Sequence, residues 1–200
     1  MGKHKNGHTY LRPDKDFFPT PSWVTEALAE HIDLRGTTVW ECAAGDGRMA
    51  EALKACGAAR VFCSDIMERG GYPLDRVLVF ISDEAGFDVD YIITNPAWGE
   101  GNKLAELFIE FGLRRLKRGT LALLLPVDFD SAKTRYHLFA GEPRFMGKVS
   151  LLRRPVWFVE PGKKPIPKDN MAWFLWSAIP VAPPTIRYAP RPSNRRHENV

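Results

Sequence analysis

The chain has 200 residues, of which 44% are hydrophobic and 26% are charged, and its net charge is +4. These values are ordinary for one globular domain. No apolar run approaches the ~20 residues of a membrane span, and residues 1–14 lack the apolar stretch of a secretory signal. Three cysteines and five scattered histidines show neither a disulfide framework nor a metal-ligand spacing. We therefore expect a cytoplasmic protein with reduced thiols, no membrane partner and no metal.

Alternating helix and strand patterns predict one domain over residues 15–179, after a flexible segment 1–14. Thr20 as a cap and Pro21 at the first helical position predict a helix that continues to about residue 33. Apolar spacing predicts two further helices, at residues 49–56 and 102–118. Seven strands are predicted from apolar runs, at residues 37–42, 60–64, 77–81, 89–94, 121–125, around 149–158 and 171–177. This alternation predicts an α/β fold with a mostly parallel seven-stranded sheet and helices on both faces.

The first predicted strand leads into a glycine-rich loop and then a helix, over residues 39–50. Gly45 and Gly47 would let the backbone approach a ligand, and the helix that follows offers free N–H groups. Asp65, at the end of the second strand, is placed to bind ribose hydroxyls. This pattern indicates a cofactor that contains adenosine, but it fits NAD as well as S-adenosylmethionine.

Glu41 favours S-adenosylmethionine over NAD. It lies four residues before Gly45, at the end of the first strand. A carboxylate there would repel a pyrophosphate, whereas it would attract a cationic methionine group.

The tetrapeptide at residues 95–98 supports the same choice. It follows an apolar run, residues 91–94, that is typical of a buried strand. The amide oxygen of Asn95 and the carbonyl of Pro96 can both accept hydrogen bonds from one NH2 group, and Trp98 offers a face for stacking. Hydride transfer does not require such a tetrapeptide at the end of a strand, so the pattern predicts methylation of a planar amine.

Taken in order, these motifs resemble those of class I S-adenosylmethionine-dependent methyltransferases. More narrowly, they are similar to the small DNA adenine-N6 methyltransferases that phages and prophages encode. The resemblance covers about residues 16–177, and the motifs that carry it are at residues 16–21, 41–47, 65 and 95–98. Ala97 stands where the family usually has a second proline. The resemblance implies a Rossmann-like methyltransferase fold.

The resemblance also implies roles for individual residues. Thr20 and Pro21 would help to hold the methionine end of the cofactor, and Asp65 would bind its ribose. Residues 79–81 align with the family's third-strand element but lack its acid, which Asp83 could replace. The residues implied to bind the cofactor are Thr20, Pro21, Glu41, Ala43, Gly45, Gly47, Asp65, Phe80 and Asn95.

The implied reaction is methyl transfer to N6 of an adenine that is flipped out of duplex DNA, with Asn95, Pro96 and Trp98 as the catalytic group. No cysteine follows a proline, which disfavours C5-cytosine methylation. Three alternatives stay open. They are methylation of adenine in RNA, methylation of a glutamine side chain in a protein, and a degenerate module that binds cofactor or nucleic acid without catalysis.

The C-terminal part of the chain is basic. Residues 143–200 carry 11 Lys and Arg against 3 Asp and Glu, while residues 1–142 carry 17 against 21. This asymmetry predicts a surface that faces a polyanion, with little or no separate target-recognition domain. Candidate nucleic-acid contacts are Arg135, Arg144, Arg153, Arg154, Lys163, Lys164 and Lys168. The alternative is that these charges only solvate the surface. Residues 180–200, rich in Pro and Arg, are predicted to form an extended tail.

Overall fold

An eight-stranded sheet forms the centre of the protein. The computed structural model describes residues 17–69, 71–82, 86–158, 162, 164–165, 167 and 169–189. In sequence order the strands are β1 (Thr38–Glu41), β2 (Arg60–Asp65), β3 (Arg76–Val77), β4 (Tyr91–Thr94), β5 (Thr120–Pro126), β6 (Phe145–Leu151), β7 (Met171–Ser177) and β8 (Thr185–Ala189). Across the sheet their order is β3-β2-β1-β4-β5-β7-β6-β8.

Most of the sheet is parallel. Strands β3, β2, β1, β4 and β5 pair in parallel, β7 is antiparallel to both β5 and β6, and β8 is parallel to β6. The carboxyl ends of β1, β2 and β4 therefore lie along one edge, and so does the carboxyl end of β6. In open α/β sheets, ligands bind at that edge.

Helices cover both faces of the sheet. Helices α1 (Ser22–Ala29) and α2 (Arg48–Ala55) pack on one face, and α3 (Lys103–Arg115) packs on the other. Strand β5 is apolar throughout because both of its faces are buried. Ala122 and Leu124 pack in the core on the face of α1 and α2, and Leu121, Leu123 and Leu125 pack in the core on the face of α3. A central strand buried on both faces cannot alternate apolar with polar residues. The predicted α/β architecture with helices on both faces is confirmed.

Several element boundaries were predicted wrongly. Helix α1 begins at Ser22 and ends at Ala29, with Pro21 as the capping residue and no side-chain cap. Thr20 does not cap this helix, and its hydroxyl oxygen accepts a hydrogen bond from Asn95 Nδ2. Helix α3 is also shorter than predicted, and a 3-10 turn at Glu100–Asn102 precedes it.

Two strands differ from their predicted ranges as well. Strand β3 is only Arg76–Val77, because a turn closed by a hydrogen bond from Ser82 N to Val79 O follows it. Strand β6 is Phe145–Leu151, whereas the prediction was centred on residues 149–158. Pro155 lacks the N–H that a continuing ladder would need.

Strand β8 was missed, so the sheet has eight strands instead of the predicted seven. It lies within residues 180–200, which were predicted to be an extended tail. Close pairing with β6 depends on Gly147, whose φ is 118° and whose added Cβ would lie 1.8 Å from Thr185 O. The predicted flexible segment 1–14, residues 190–200, Asp16 and Asp83 lie outside the described residues.

Within the described residues, no helix is both long and apolar enough to cross a membrane. The same part of the chain contains no group of three or more His, Cys, Asp or Glu side chains arranged to hold a metal ion.

Candidate active site

A cavity of about 340 Å³ opens at the carboxyl ends of β1, β2 and β4. This volume lies in the range of small-molecule binding pockets. The structure brings together at its walls seven residues predicted from the sequence, which are Thr20, Glu41, Ala43, Gly45, Asp65, Phe80 and Asn95. Four other predicted residues, Pro21, Gly47, Pro96 and Trp98, are not part of its lining.

Glu41 is a buried carboxyl group with one oxygen left over. Its Oε1 accepts hydrogen bonds from Ala43 N at 3.1 Å and from the hydroxyl of Thr94. Its Oε2 is buried and has no hydrogen-bond partner. Burial raises the pKa of Glu41 to about 8. A ligand with a cationic group would supply the missing partner and favour the charged form of the carboxyl.

The glycine loop holds Asp65 beside the cavity. Gly45 has a φ of 56°, and its N–H donates to Asp65 Oδ2 at 2.9 Å. Asp65 Oδ1 lies 4.0 Å from Arg69 Nε. The strand-end acid is therefore tied to the loop through one oxygen, and its other oxygen forms an ion pair with Arg69.

Gly47 serves the fold instead of the cavity. It has a φ of 82° and lies directly before α2. An added Cβ would come within 2.1 Å of the Tyr72 ring, so only glycine fits here without a shift of that ring.

The amide of Asn95 is held at its nitrogen end. Nδ2 donates to Phe18 O at 3.3 Å and to Thr20 Oγ1 at 3.1 Å. Oδ1 is buried and has no partner. The same cavity is thus lined by two side chains, Asn95 and Glu41, that each carry an unsatisfied buried acceptor oxygen. A buried oxygen without a partner calls for a water, an ion or a ligand, and the position of both of these at the wall of one cavity favours a shared ligand there.

The ring of Trp98 stacks on that of Phe18. Its ring lies 5.6 Å from that of Phe18, with an angle of 17° between the planes. Its carbonyl accepts hydrogen bonds from Leu104 N and Ala105 N at the start of α3. The contact with Phe18 covers one face of the Trp98 ring, and the predicted stacking of Trp98 on a substrate ring stays a prediction.

Sequence reasoning missed several lining residues, including Phe17, Ile66, Arg69, Leu104 and Phe108. Ile66 had a signal in its position directly after the strand-end Asp65, and in the structure its side chain is 47% exposed. Phe17 lies within a motif that was recognised. Arg69 follows no pattern in the sequence, and its guanidinium lies 5.2 Å from the centre of the Phe17 ring.

Two of the seven predicted nucleic-acid contacts are engaged inside the protein. Arg135 donates to Glu106 Oε1 and Phe129 O, and Arg144 donates to both carboxylate oxygens of Glu142 and to Leu113 O. These guanidinium groups hold the fold together, which argues against a role in binding a polyanion.

Three others are exposed at the surface, namely Arg153, Arg154 and Lys164. Arg153 and Arg154 directly follow the carboxyl end of β6, at the edge of the sheet where the cavity opens. Lys163 and Lys168 fall outside the part of the chain that the structure describes.

A scan against protein-family models finds no match, and a search of curated proteins finds no similar sequence. Solved structures do match. A protein from Listeria monocytogenes described as a class I S-adenosylmethionine-dependent methyltransferase has a TM-score of 0.62 at 14% identity, over 91% of this chain and 68% of that one. A protein from Pyrococcus horikoshii described as an RNA methyltransferase also has a TM-score of 0.62, at 15% identity, over 82% of this chain and 88% of that one.

A modification subunit of a type I restriction enzyme from Vibrio vulnificus has a TM-score of 0.58 at 20% identity. The match covers 90% of this chain but only 48% of that subunit, so this chain spans about half of its length. These likenesses define the class of fold, which is the Rossmann-like fold of class I methyltransferases. More particularly, this chain has that fold with one additional edge strand, β8, beside β6.

Proposed function

We propose that the protein binds S-adenosyl-L-methionine in the cavity at the carboxyl ends of β1, β2 and β4. The donor set fits this cofactor. Asp65 would accept hydrogen bonds from the ribose, and the free Oε2 of Glu41 would accept one from the cationic methionine end. Ile66 and Phe80 provide apolar surface for an adenine ring. When bound, the cofactor supplies a methyl group that its sulfonium centre has already activated.

The acceptor we propose is the exocyclic N6 amine of adenine. Asn95 Oδ1 would accept a hydrogen bond from this amine. The carbonyl of Pro96 does not line the cavity, but it lies between the lining residues Asn95 and Ala97, and we assign it the second hydrogen bond by the motif. Both bonds favour a tetrahedral nitrogen whose lone pair is available, which is the form that attacks the methyl carbon. Transfer would form the N–C bond as the C–S bond of the sulfonium broke, and N6 would then lose one proton to water. The observation that carries this proposal is the unpartnered Oδ1 of Asn95 beside the same cavity as Glu41.

Trp98 has a different role in this proposal from the one that its position in the motif suggests. Phe18 occupies one face of its ring, and Trp98 does not line the cavity. We therefore assign Trp98 the task of supporting Phe18, whose carbonyl holds the Asn95 amide.

DNA is the substrate that we favour. Arg153 and Arg154 lie at the cavity edge of the sheet, and the half-exposed ring of Phe158 lies 6.1 Å from that of Phe18. Exposed cations and an exposed aromatic ring suit phosphate contacts and base stacking. A base must leave the duplex to reach a cavity of this kind. The similar structures include both a restriction-modification subunit and an RNA methyltransferase, so RNA is the acceptor that the experiment must separate from DNA.

The experiment follows a tritiated methyl group from the cofactor into DNA, RNA and a protein extract in parallel. We expect label in DNA, recovered as N6-methyladenine. Label in RNA alone, or in protein alone, would reassign the substrate. Cofactor binding without transfer to any acceptor would make the chain a non-catalytic module, and no binding by calorimetry would refute the whole proposal.

The Asn95→Ala variant tests the catalytic assignment. We expect it to lose transfer by about 100-fold or more, in line with the removal of one preorganised hydrogen-bonding group, while it still binds the cofactor. Transfer at the wild-type rate would refute the assignment.

A further inference from the structure

The orientation of the Asn95 amide decides what the site can bind. A carboxamide has an acceptor end and a donor end of nearly the same size. If Oδ1 points to the part of the cavity that is proposed to hold the methyl-accepting amine, the amide binds that amine. If Nδ2 points there, the amide would repel an amine and bind a carbonyl.

The contacts of Asn95 fix this choice. Phe18 O lies 3.3 Å from Nδ2, and a backbone carbonyl can only accept. The rotated amide would place Oδ1 against this oxygen, with two acceptors in contact and no proton between them. Thr20 Oγ1, at 3.1 Å, accepts the second N–H, so that both donors of Nδ2 have a partner.

The hydroxyl of Thr20 lies in a protected place. Thr20 is only 5% exposed, and it is 75 residues away from Asn95 in the chain. Water therefore has little access to replace this bond, and an unmade hydrogen bond at a buried group is costly.

We propose that Thr20 is a positioning residue, whose hydroxyl, together with the Phe18 carbonyl, holds the Asn95 amide with its oxygen toward the acceptor amine. This inference deepens the proposed function and rests on it. Thr20 acts through Asn95, and its loss should slow the chemical step more than it weakens binding of either substrate.

The test compares three variants. Thr20→Val removes the hydroxyl and keeps the shape, Thr20→Ser keeps the hydroxyl, and Thr25→Val is the matched control. Thr25 is a fully buried threonine of α1 whose hydroxyl has no partner, so its replacement makes the same chemical change away from Asn95. With one hydrogen bond worth ~1 kcal/mol, we expect Thr20→Val to lower kcat by about 5- to 10-fold. Cofactor Kd and the KM for DNA should stay within about 2-fold of wild type, as should every parameter of the other two variants.

Two results would overturn the proposal. In the first, Thr20→Val keeps the same kcat as Thr25→Val. In the second, its whole defect lies in cofactor Kd, which would make Thr20 a ligand of the cofactor and not a support for Asn95.

A second measurement works without any activity. The side-chain NH2 signals of Asn95, identified by their absence in Asn95→Ala, should exchange with solvent about 10-fold faster in Thr20→Val than in wild type or Thr25→Val. Unchanged exchange contradicts the positioning role. If wild type transfers no methyl group at all, the proposed function fails, and this exchange measurement still decides whether Thr20 holds the amide.

Discussion

The hydroxyl of Thr94 donates a hydrogen bond to Oε1 of Glu41, joining β4 to β1 directly below the tip that carries Asn95. Both side chains are fully buried. Because Ala43 N also donates to Oε1, this oxygen is satisfied and the other is not. The pair therefore holds a carboxyl group at the cavity with one oxygen that has no partner within the described protein.

The stability of the protein should fall as pH rises past the ordinary pKa of a glutamate. The pKa of Glu41 is raised in the folded protein from 4.5 to about 8. The contribution of the protonated Glu41 side chain to the free energy of unfolding is thus fully present below about pH 4.5, and it is lost as pH rises toward 8. In this window the slope approaches ~1.4 kcal/mol per pH unit. Denaturant unfolding of wild type and Glu41→Gln measures it. The free energy of unfolding of wild type should fall relative to that of Glu41→Gln as pH rises. Parallel dependences of this free energy on pH in the two proteins would contradict the prediction.

Cofactor binding should release a proton. Below pH 8 the empty carboxyl group is mostly protonated, whereas a cationic ligand holds it ionised. We expect affinity to rise with pH between 5.5 and 7, by up to tenfold per unit. Calorimetry in buffers of different ionisation enthalpy counts the released protons directly. Glu41→Gln is the control, with weaker binding that does not vary with pH. Release of no proton by wild type would show that Glu41 stays neutral in the complex.

The Asn95→Asp variant should not reproduce the activity of wild type across the pH range. In its ionised form, the new carboxylate would place an oxygen against Phe18 O, which offers no proton. We expect the carboxyl to stay protonated to a higher pH than usual, and activity to fall as pH rises and the group ionises. The measurement is the dependence of kcat on pH from 5.5 to 8.5 with saturating cofactor, compared with wild type. A profile parallel to that of wild type would be inconsistent with this account.

The local parts of the site were predictable from the sequence. The loop with Gly45, the acid at the end of β2 and the amide at the end of β4 each follow an apolar strand within a few residues. Parallel strands then bring their carboxyl ends together, so three local patterns place Glu41, Asp65 and Asn95 at one edge of the sheet.

The long-range parts were not predictable. The contact of Phe18 with Trp98 and the hydrogen bond from Asn95 to Thr20 join residues that are 75 or more apart. No local periodicity encodes such pairs. Strand β8 was hidden for another reason, since prolines surround its short alternating run and favour an extended tail.

Gly147 should be required for β8 to pair with the sheet. Alanine there would combine a left-handed backbone with a Cβ that lies 1.8 Å from Thr185 O. Gly36→Ala is the matched control, because its φ is 72° but nothing lies within 4 Å of an added Cβ. We expect Gly36→Ala to lose about 1 kcal/mol of unfolding free energy and Gly147→Ala to lose at least twice as much.

Hydrogen exchange locates the effect of Gly147→Ala. The amides of residues 185–189 should exchange much faster in this variant and at the wild-type rate in Gly36→Ala. Equal losses of stability in the two variants, with β8 still protected, would show that β6 and β8 can separate slightly without cost.

Arg153 and Arg154 should contribute to nucleic-acid affinity through charge alone. Both lie after the carboxyl end of β6, at the cavity edge, and both are exposed. If each neutralises one phosphate, replacing both with alanine should lower the slope of log K against log salt concentration by about 1.8 for duplex DNA. Fluorescence anisotropy with an unmodified duplex between 50 and 200 mM salt measures this slope, and affinity should fall similarly for all sequences.

The control removes two charges from the opposite edge of the sheet. Arg114 and Lys117 are exposed, and they lie at the end of α3 and between α3 and β5, away from the cavity. Alanine at both positions changes net charge equally, so a general field effect would weaken binding to the same extent in the two double variants. If Arg153 and Arg154 contact phosphates, the slope of log K against log salt concentration should change only when these two residues are replaced. The same slope in both would place the nucleic acid elsewhere on the protein, because counterions are released only where phosphates are neutralised.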